Sequence, residues 1–152
     1  VEISLSFPFS KISVITICGM GGKLIADILE KGKDKLINRP NLILQPNLGE
    51  RFVREKLQDL GYTITAENII EEDGHIYEII VATDGQMSLT EDEKNFGIFL
   101  SKEKNDLFIK KQKQELDKVN YILSQLEKAK EEKSEKVLEL QAKAKKIEEV
   151  IS

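Results

Sequence analysis

The sequence predicts an α/β fold, in which a mainly parallel sheet covered by helices is followed by an α-helical coiled-coil hairpin. A run of β-branched residues at 14–17 precedes several glycines and an amphipathic segment, which is the pattern of a strand, a turn and a helix. A second strand–helix pair and two further strand patterns follow up to residue 82. From Lys104 onward the chain has neither Gly nor Pro, which favours long helices.

Charge divides the chain into two parts. Acidic side chains outnumber basic ones over residues 1–101, whereas Lys and Arg are in excess over 102–152. We therefore predict an α/β domain over residues 1–86 and a helical hairpin over 87–152. The single cysteine excludes an internal disulfide and is typical of a reducing cytoplasm. No apolar run reaches the length of a membrane span, so we expect no membrane partner.

The first strand and helix form the most informative segment. Residues 14–17 predict a parallel strand buried on both faces, with Cys18 buried at its end. The glycines that follow predict a sharp turn with exposed N–H groups at a helix N-terminus, and a branched side chain at Gly21 would strain that turn. The helix is predicted over 22–30. Four of its side chains are expected to face the sheet: Leu24, Ile25, Ile28 and Leu29.

The next predicted unit repeats this order of strand and helix. A buried strand over 42–45 is ended by Pro46 and Asn47. The helix over 49–60 is closed by Gly61. Its inward side chains are predicted to be Phe52, Val53 and Leu57.

An antiparallel pair of strands ends the predicted sheet. The strands cover residues 62–70 and 76–82, and Asp73-Gly74 between them is a strong β-turn signal. Thr90 with Glu93 then predicts a capping box at the start of another helix.

Two short heptad patterns predict the helical arm. The first consists of Leu116, Val119, Leu123 and Leu126, and the second of Val137, Leu140, Ala144, Ile147 and Ile151. The charged segment 131–134 separates them, and Ser134 is a predicted N-cap. An antiparallel hairpin is the main interpretation, and one long helix in a dimeric coiled coil is the alternative.

Several motifs together resemble one known family. They occur in the order Gly19-Met-Gly-Gly22, Leu44-Gln-Pro-Asn47, Tyr77-Glu78, Phe96-Gly97 and the charged helical arm. In this order the motifs resemble those of the TrmK-type tRNA (adenine-22-N1)-methyltransferases of bacteria. The resemblance implies a class I, Rossmann-like methyltransferase sheet that uses S-adenosyl-L-methionine and modifies tRNA. Residues 14–17 and 42–45 would be its fourth and fifth strands, and the antiparallel pair its last two.

The resemblance covers residues 12–152, the C-terminal two thirds of that family. The family's Asp-x-Gly segment and its acidic ribose-binding residue, which hold the adenosyl half of the cofactor, have no counterpart here. We therefore expect a fragment without the first cofactor-binding motif, and the first ten residues look like a truncated or altered start of the chain. A non-catalytic remnant that binds RNA or self-associates, through a sheet edge or the coiled coil, is the alternative.

Two short segments are the predicted site. The resemblance places the first beside the transferable methyl group and the second at the same cleft: Gly19, Met20, Gly21 and Gly22, then Gln45, Pro46 and Asn47. Gly19 and Met20 would also contact the cofactor. Geometry alone also explains glycines in such a turn, and Asn47 could instead cap the following helix. A nicotinamide fingerprint is disfavoured, because the second strand ends in Gln45 rather than in an acidic residue.

Lysines of the arm are the predicted RNA contacts. Lys104, Lys111 and Lys118 recur every seven residues and would share one helix stripe, with Lys110 and Lys113 nearby. Interspersed acidic residues leave a plain solvated face as an equal alternative, and the resemblance favours tRNA binding. The lone His75 is expected to be exposed, and one His with one Cys gives no metal-ligand cluster.

Overall fold

The computed structural model describes residues 13–129 and 134–152. The predicted segments 1–10 and 131–133 therefore lie outside the described residues. In chain order the elements are β1 (Val14–Met20), α1 (Gly22–Lys31), a 3-10 turn (Lys33–Leu36), β2 (Asn41–Pro46), α2 (Glu50–Asp59), β3 (Tyr62–Glu72), β4 (His75–Asp84), α3 (Glu91–Phe96), α4 (Leu100–Glu103), α5 (Asp106–Lys128) and α6 (Glu135–Ile151). The predicted order of strands and helices up to β4 is confirmed.

Four strands form one mixed sheet in the order β1-β2-β4-β3. The strands β1 and β2 are parallel, and β4 is antiparallel to both β2 and β3. The turn between β3 and β4 has positive φ at Asp73 (51°) and Gly74 (78°), as a two-residue type I′ turn requires. The chain thus has two parallel strands beside an antiparallel pair, as the resemblance implies.

Only one face of β1 is buried. Ile15 and Ile17 face the core, whereas Thr16 and Cys18 are exposed and Val14 is 46% exposed. The prediction of a strand buried on both faces, with a buried Cys18, was wrong. An apolar β-branched run does not show how many faces are covered, and the core cluster gathers one face of the sheet with α1 and α2.

The two helices of this core present narrower apolar faces than predicted. Ile25, Leu29, Val53 and Leu57 are fully or almost fully buried. Leu24 is 50% exposed and Phe52 is 45% exposed, so their predicted inward orientation was wrong. Gly61 follows α2 with φ 73°, the left-handed conformation that ends helices, as predicted.

The chain packs as two compact units, Val1–Lys102 and Glu103–Ser152. The unit boundary lies beyond the predicted division at 86 and 87, because α3 packs against α2 through ion pairs such as Arg51–Glu91. The predicted domains themselves stay a prediction. The capping box of Thr90 and Glu93 is present, with both of its hydrogen bonds.

The second unit contains α5 and α6, which pack against each other. All nine predicted heptad residues are buried or half-buried. Lys143 Nζ of α6 lies 2.6 Å from Glu115 Oε1 of α5, and Ser134 caps α6 as predicted. The arm is therefore two helices rather than one, while its coiled-coil character stays a prediction. Across the described ranges, no helix is both long and apolar enough to span a membrane.

A buried ion cluster joins α2 to the β3–β4 pair. Arg54 donates to Glu67 Oε2 and Glu78 Oε1, each at 2.6 Å from Nη2, and all three side chains are at most 2% exposed. Glu67 Oε1 also accepts from the Phe99 N–H at 2.7 Å. Burial opposes the charged guanidinium, but Glu78 and Glu67 outweigh it and hold the pKa of Arg54 above its ordinary value. No sequence pattern predicted this cluster.

Replacing Arg54 by Leu should lower the free energy of unfolding by about 3–5 kcal/mol, because two buried carboxylates lose their shared cation. Arg51 on the same helix is the matched control, since it binds Glu91 at 2.7 Å with both side chains at least 36% exposed. Arg51→Leu should cost at most about 1 kcal/mol. Urea unfolding of both variants measures the difference, and equal losses would contradict this assignment.

Candidate functional site

The two predicted site segments meet at the carboxyl ends of β1 and β2. The Gly19 N–H donates to Gln45 Oε1 at 2.9 Å, and the Asn47 N–H donates to the Met20 carbonyl at 2.7 Å. The Gly22 N–H donates to the Leu48 carbonyl, also at 2.7 Å. The structure therefore brings together every residue of the two segments, from Gly19 to Gly22 and from Gln45 to Asn47.

The glycines of the turn have different reasons to be glycine. Gly19 has φ 75° and lies in an irregularity of β1, where the register with β2 shifts. Gly22 approaches the next loop so closely that a Cβ would lie 2.0 Å from the Gly49 carbonyl oxygen. Fold geometry therefore explains both of these positions.

Gly21 has no such reason in the described chain. Its φ of −63° and ψ of 144° are ordinary extended values, and a Cβ there would meet nothing within 4 Å. The predicted strain at Gly21 was therefore wrong. The backbone of the turn is open above Gly19 and Gly21, and this opening leaves room for a ligand.

The Gln45 side chain holds the two segments together. Its Oε1 accepts from Gly19, and its Nε2 donates to the Pro46 carbonyl at 2.9 Å and to Asn47 Oδ1 at 3.4 Å. Because both ends of the amide have partners, Gln45 positions the loop. Pro46 is buried and pairs with Met20 in the strand register.

Asn47 is the exposed polar group of the site. Within residues 13–129 and 134–152 its Nδ2 donates no hydrogen bond, and its Oδ1 receives only the long bond from Gln45. The alternative that Asn47 caps α2 was wrong, because the N-cap is Gly49, with φ 74° and no side-chain cap bond. A side-chain amide with an unused donor therefore faces solvent beside the open glycine turn.

Sequence reasoning missed two apolar residues at this site. Leu48 is 70% exposed directly after Asn47, and Phe52 is 45% exposed in the first turn of α2. Helical periodicity placed Phe52 inward, whereas Val53 and Leu57 already complete the buried face of that helix. The position of Leu48 outside both strand and helix patterns was the available signal.

Comparison with known proteins identifies the family. A family model described as TrmK, tRNA (adenine(22)-N(1))-methyltransferase, matches residues 8–149. The chain belongs to the TrmK family.

Relatives agree with this membership. The tRNA (adenine(22)-N(1))-methyltransferase of Bacillus subtilis is 43% identical over 90% of this chain and 61% of its own length. The Streptococcus pneumoniae protein Sp1610, solved with S-adenosyl-L-methionine, has TM-score 0.85 and 44% identity over 96% of this chain and 64% of its own. A Streptococcus agalactiae protein of the NADB-Rossmann superfamily has TM-score 0.86 and 40% identity over 93% of this chain and 60% of its own. This chain spans less than two thirds of each relative's length.

TrmK membership confirms the predicted α/β, Rossmann-like fold class and leaves the nicotinamide interpretation without support. His75 is exposed, as predicted. In the described part of the chain, no group of three or more His, Cys, Asp or Glu side chains is placed to hold a metal ion.

The predicted lysine stripe is interrupted in this TrmK chain. Lys104 has φ 47° and precedes α5, whose N-cap is Asn105, so it does not continue the helix. Lys111 and Lys118 lie on α5, and the Lys118 side chain is 74% exposed. Lys110 and Lys113 line a shallow depression of α5 together with Asp106 and Asp117. The prediction that one continuous lysine stripe begins at Lys104 was therefore wrong. The RNA-binding role of these lysines stays a prediction.

Alanine substitutions at Gly21 and Gly22 should show which of the two glycines the fold requires. Gly22→Ala should lower the free energy of unfolding by about 1–3 kcal/mol, because the added Cβ would collide with the Gly49 carbonyl. The loop cannot easily move away, since the neighbouring Leu48 carbonyl accepts from the Gly22 N–H. Gly21→Ala should leave stability unchanged or raise it by about 0.4–1 kcal/mol, because Ala restricts the unfolded chain. Thermal unfolding measures both, and a loss at Gly21 like that at Gly22 would show that the turn is closed there.

Proposed function

We propose that this chain takes part in S-adenosylmethionine-dependent methylation of adenine 22 of tRNA at N1. The carrying observation is the hydrogen bond from the Gly19 N–H to Gln45 Oε1, which holds the open glycine turn beside the Asn47 amide. The names of the relatives support this assignment. The Bacillus subtilis protein is a tRNA (adenine(22)-N(1))-methyltransferase, and the Streptococcus pneumoniae protein was solved with the cofactor.

The residues present fit one end of the cofactor. A Cβ at Gly19 or Gly21 would meet nothing within 4 Å, so the backbone of the turn is accessible to a ligand, and Gly19 and Met20 would line the methyl-bearing end. Neither site segment contains an acidic residue to bind the ribose. When bound, S-adenosyl-L-methionine supplies an electrophilic methyl group, which the lone pair of adenine N1 accepts in an in-line displacement without prior loss of a proton.

Asn47 is suited to orient the target base. An asparagine amide pairs with adenine through N6 and N7, which leaves N1 free for reaction. The unused Nδ2 would donate to N7, and Oδ1 would accept from the N6 amino group. Gln45 positions this amide through its bond to Asn47 Oδ1 and its hold on Gly19. Asn47 therefore binds the base, and Gln45 positions the loop that carries it.

Replacing Asn47 by Ala should lower kcat/KM for tRNA methylation about 5- to 150-fold, the loss of one bidentate base contact of about 1–3 kcal/mol. Asn41 begins the same strand at its other end and is exposed, so Asn41→Ala is the matched control. The measurement is transfer of labelled methyl groups to position 22. The assay is run on two proteins. One is the chain alone, and the other is the chain fused to the part of the Bacillus subtilis relative that this chain does not cover.

Methylation of tRNA at position 22 in either arrangement supports the proposed enzyme, and its loss in the Asn47 variant supports the role of the amide. Binding of tRNA without methylation in both arrangements would favour the non-catalytic remnant. Equal activity of the Asn47 and Asn41 variants would contradict base binding by Asn47 while leaving the enzyme assignment standing.

The arm of this chain is the proposed tRNA-binding element. Lys111 and Lys118 on α5, with Lys104 before it, are the predicted phosphate contacts, and Lys110 and Lys113 accompany them. Glu115 lies 4.0 Å from Lys118 and 2.6 Å from Lys143, which limits the positive field along this part of α5. A cytoplasmic location, where tRNA is modified, accompanies this proposal.

Replacing Lys104, Lys111 and Lys118 by Gln should weaken tRNA binding and lower the slope of log affinity against log salt by up to about 0.7–0.9 for each phosphate that is no longer bound. Gln and Lys have similar helix propensity, so α5 should persist. The control is a second triple variant, in which Gln replaces Lys31, Lys33 and Lys35 and removes the same charge from the first unit. An unchanged slope in the first variant would make the arm a solvated structural element.

Self-association is a further proposal for this chain. In the described residues β1 pairs with β2 alone and is an edge of the sheet, with Val14 and Cys18 exposed on it. An apolar edge strand of this kind favours pairing with another chain. The packed arm, α5 with α6, offers a second surface for association.

A further inference from the structure

Two large apolar side chains remain exposed beside the site, Leu48 at 70% and Phe52 at 45%. The apolar face of α2 is complete without Phe52, because Val53 and Leu57 are fully buried one and five residues later. Contact of these exposed side chains with an apolar ligand face would remove apolar surface from water, which is favourable. Their position beside the site therefore suits a ligand with an apolar face.

The backbone that carries both side chains lies close to the glycine turn. The Leu48 carbonyl accepts from the Gly22 N–H at 2.7 Å, which holds the Leu48 backbone against the turn. A Cβ on Gly49 would lie 3.2 Å from Phe52 Cδ2 and 3.6 Å from the Gly22 nitrogen. The edge of the Phe52 ring and the turn therefore flank the same small residue. The apolar pair and the open turn belong to one surface.

This surface has the two components needed to recognise an unpaired base. Asn47 offers hydrogen-bonding groups for the edge of a base, and the neighbouring ring offers a flat apolar face. Sequence-specific RNA recognition uses unpaired bases that are stacked on aromatic side chains and hydrogen-bonded along their edges. An adenine whose N1 is to react must leave its base pair, so its two faces need new contacts.

We propose that Phe52, supported by Leu48, is the stacking platform for the target adenine of tRNA. The ring covers one face of the base while Asn47 binds its N6 and N7 edge, and N1 points to the open turn at Gly19 and Gly21. This assignment rests on the proposed function and adds the residues that hold the face of the base. It also gives the closely packed Gly49 a role, because a side chain there would press on the ring.

The test is a double-mutant cycle of binding affinities, in which the ring and the base are each removed separately and together. Affinity is measured for the chain and for Phe52→Ala with two tRNAs, one carrying adenine 22 and one with an abasic site at that position. Base–aromatic stacking is worth about 1–3 kcal/mol. Phe52→Ala should therefore weaken binding of the first tRNA about 5- to 150-fold and leave binding of the abasic tRNA unchanged.

Three further variants control for folding and for apolar surface in general. Phe52→Trp should keep the preference for adenine 22, and Phe52→Leu, which retains an apolar side chain without a ring, should lose most of it. Ile37 is 76% exposed and precedes β2 at the amino end of the sheet, so Ile37→Ala removes a comparable side chain at the opposite end. It should bind both tRNAs like the unmodified chain.

The outcomes separate this inference from the proposed function. If the unmodified chain binds the two tRNAs equally, adenine 22 gains no contact with the ring and the stacking platform is wrong, while methylation at position 22, measured separately, decides the proposed function. If the chain prefers adenine 22 but Phe52→Ala weakens both tRNAs alike, or neither, the stacking platform is wrong and the proposed function stands. Full retention of the preference by Phe52→Leu would likewise exclude stacking on the ring.

Discussion

The backbone contact between Gly22 and the loop after β2 is the constraint on which the first compact unit depends. The Gly22 N–H donates to the Leu48 carbonyl, and a Cβ on Gly22 would lie 2.0 Å from the Gly49 carbonyl oxygen. This contact brings the start of α1 against the start of α2, and the two helices then pack side by side over one face of the sheet. It also fixes the separation of the two loops that form the candidate site.

A second fixed point lies at the far side of α2. Arg54 ties this helix to β3 and β4 through two buried carboxylates, and the Phe99 N–H binds one of them. Gly97 is required beside this cluster, because a Cβ there would lie 2.8 Å from Arg54 Nη2. The helix that carries Phe52 is therefore held at its N-terminus by backbone packing and along its length by charge. The role proposed for Phe52 needs such rigid support, because the ring must keep its orientation.

The order of strands and helices could be predicted because each element has a strong local signal. The Asp73-Gly74 turn, the capping box at Thr90 and the Ser134 cap all appear where sequence chemistry placed them. The meeting of the two predicted segments could also be predicted, since the ends of adjacent parallel strands must meet at one edge of a sheet. Their role as a site stays a prediction.

The errors share a cause in tertiary structure, which local patterns do not record. Whether Cys18 is buried depends on which face of the sheet carries helices, and whether Phe52 is buried depends on how wide the apolar face of α2 must be. Lys104 left the predicted stripe because Asn105 caps a new helix and the residue before it turns with positive φ. Arg54 was missed because its two glutamate partners lie on strands that follow it by 13 and 24 positions.

The long β3–β4 pair has an electrostatic consequence for the proposed tRNA substrate. Leu44 pairs with Ile80, so the end of β2 lies near Glu78, and the two strands continue to their turn about 10 Å beyond it. Three exposed acidic residues, Glu71, Glu72 and Asp73, occupy that projecting tip on the same side as the glycine turn. A negatively charged tip repels phosphates, so the proposed tRNA substrate would approach the site from the β1 side.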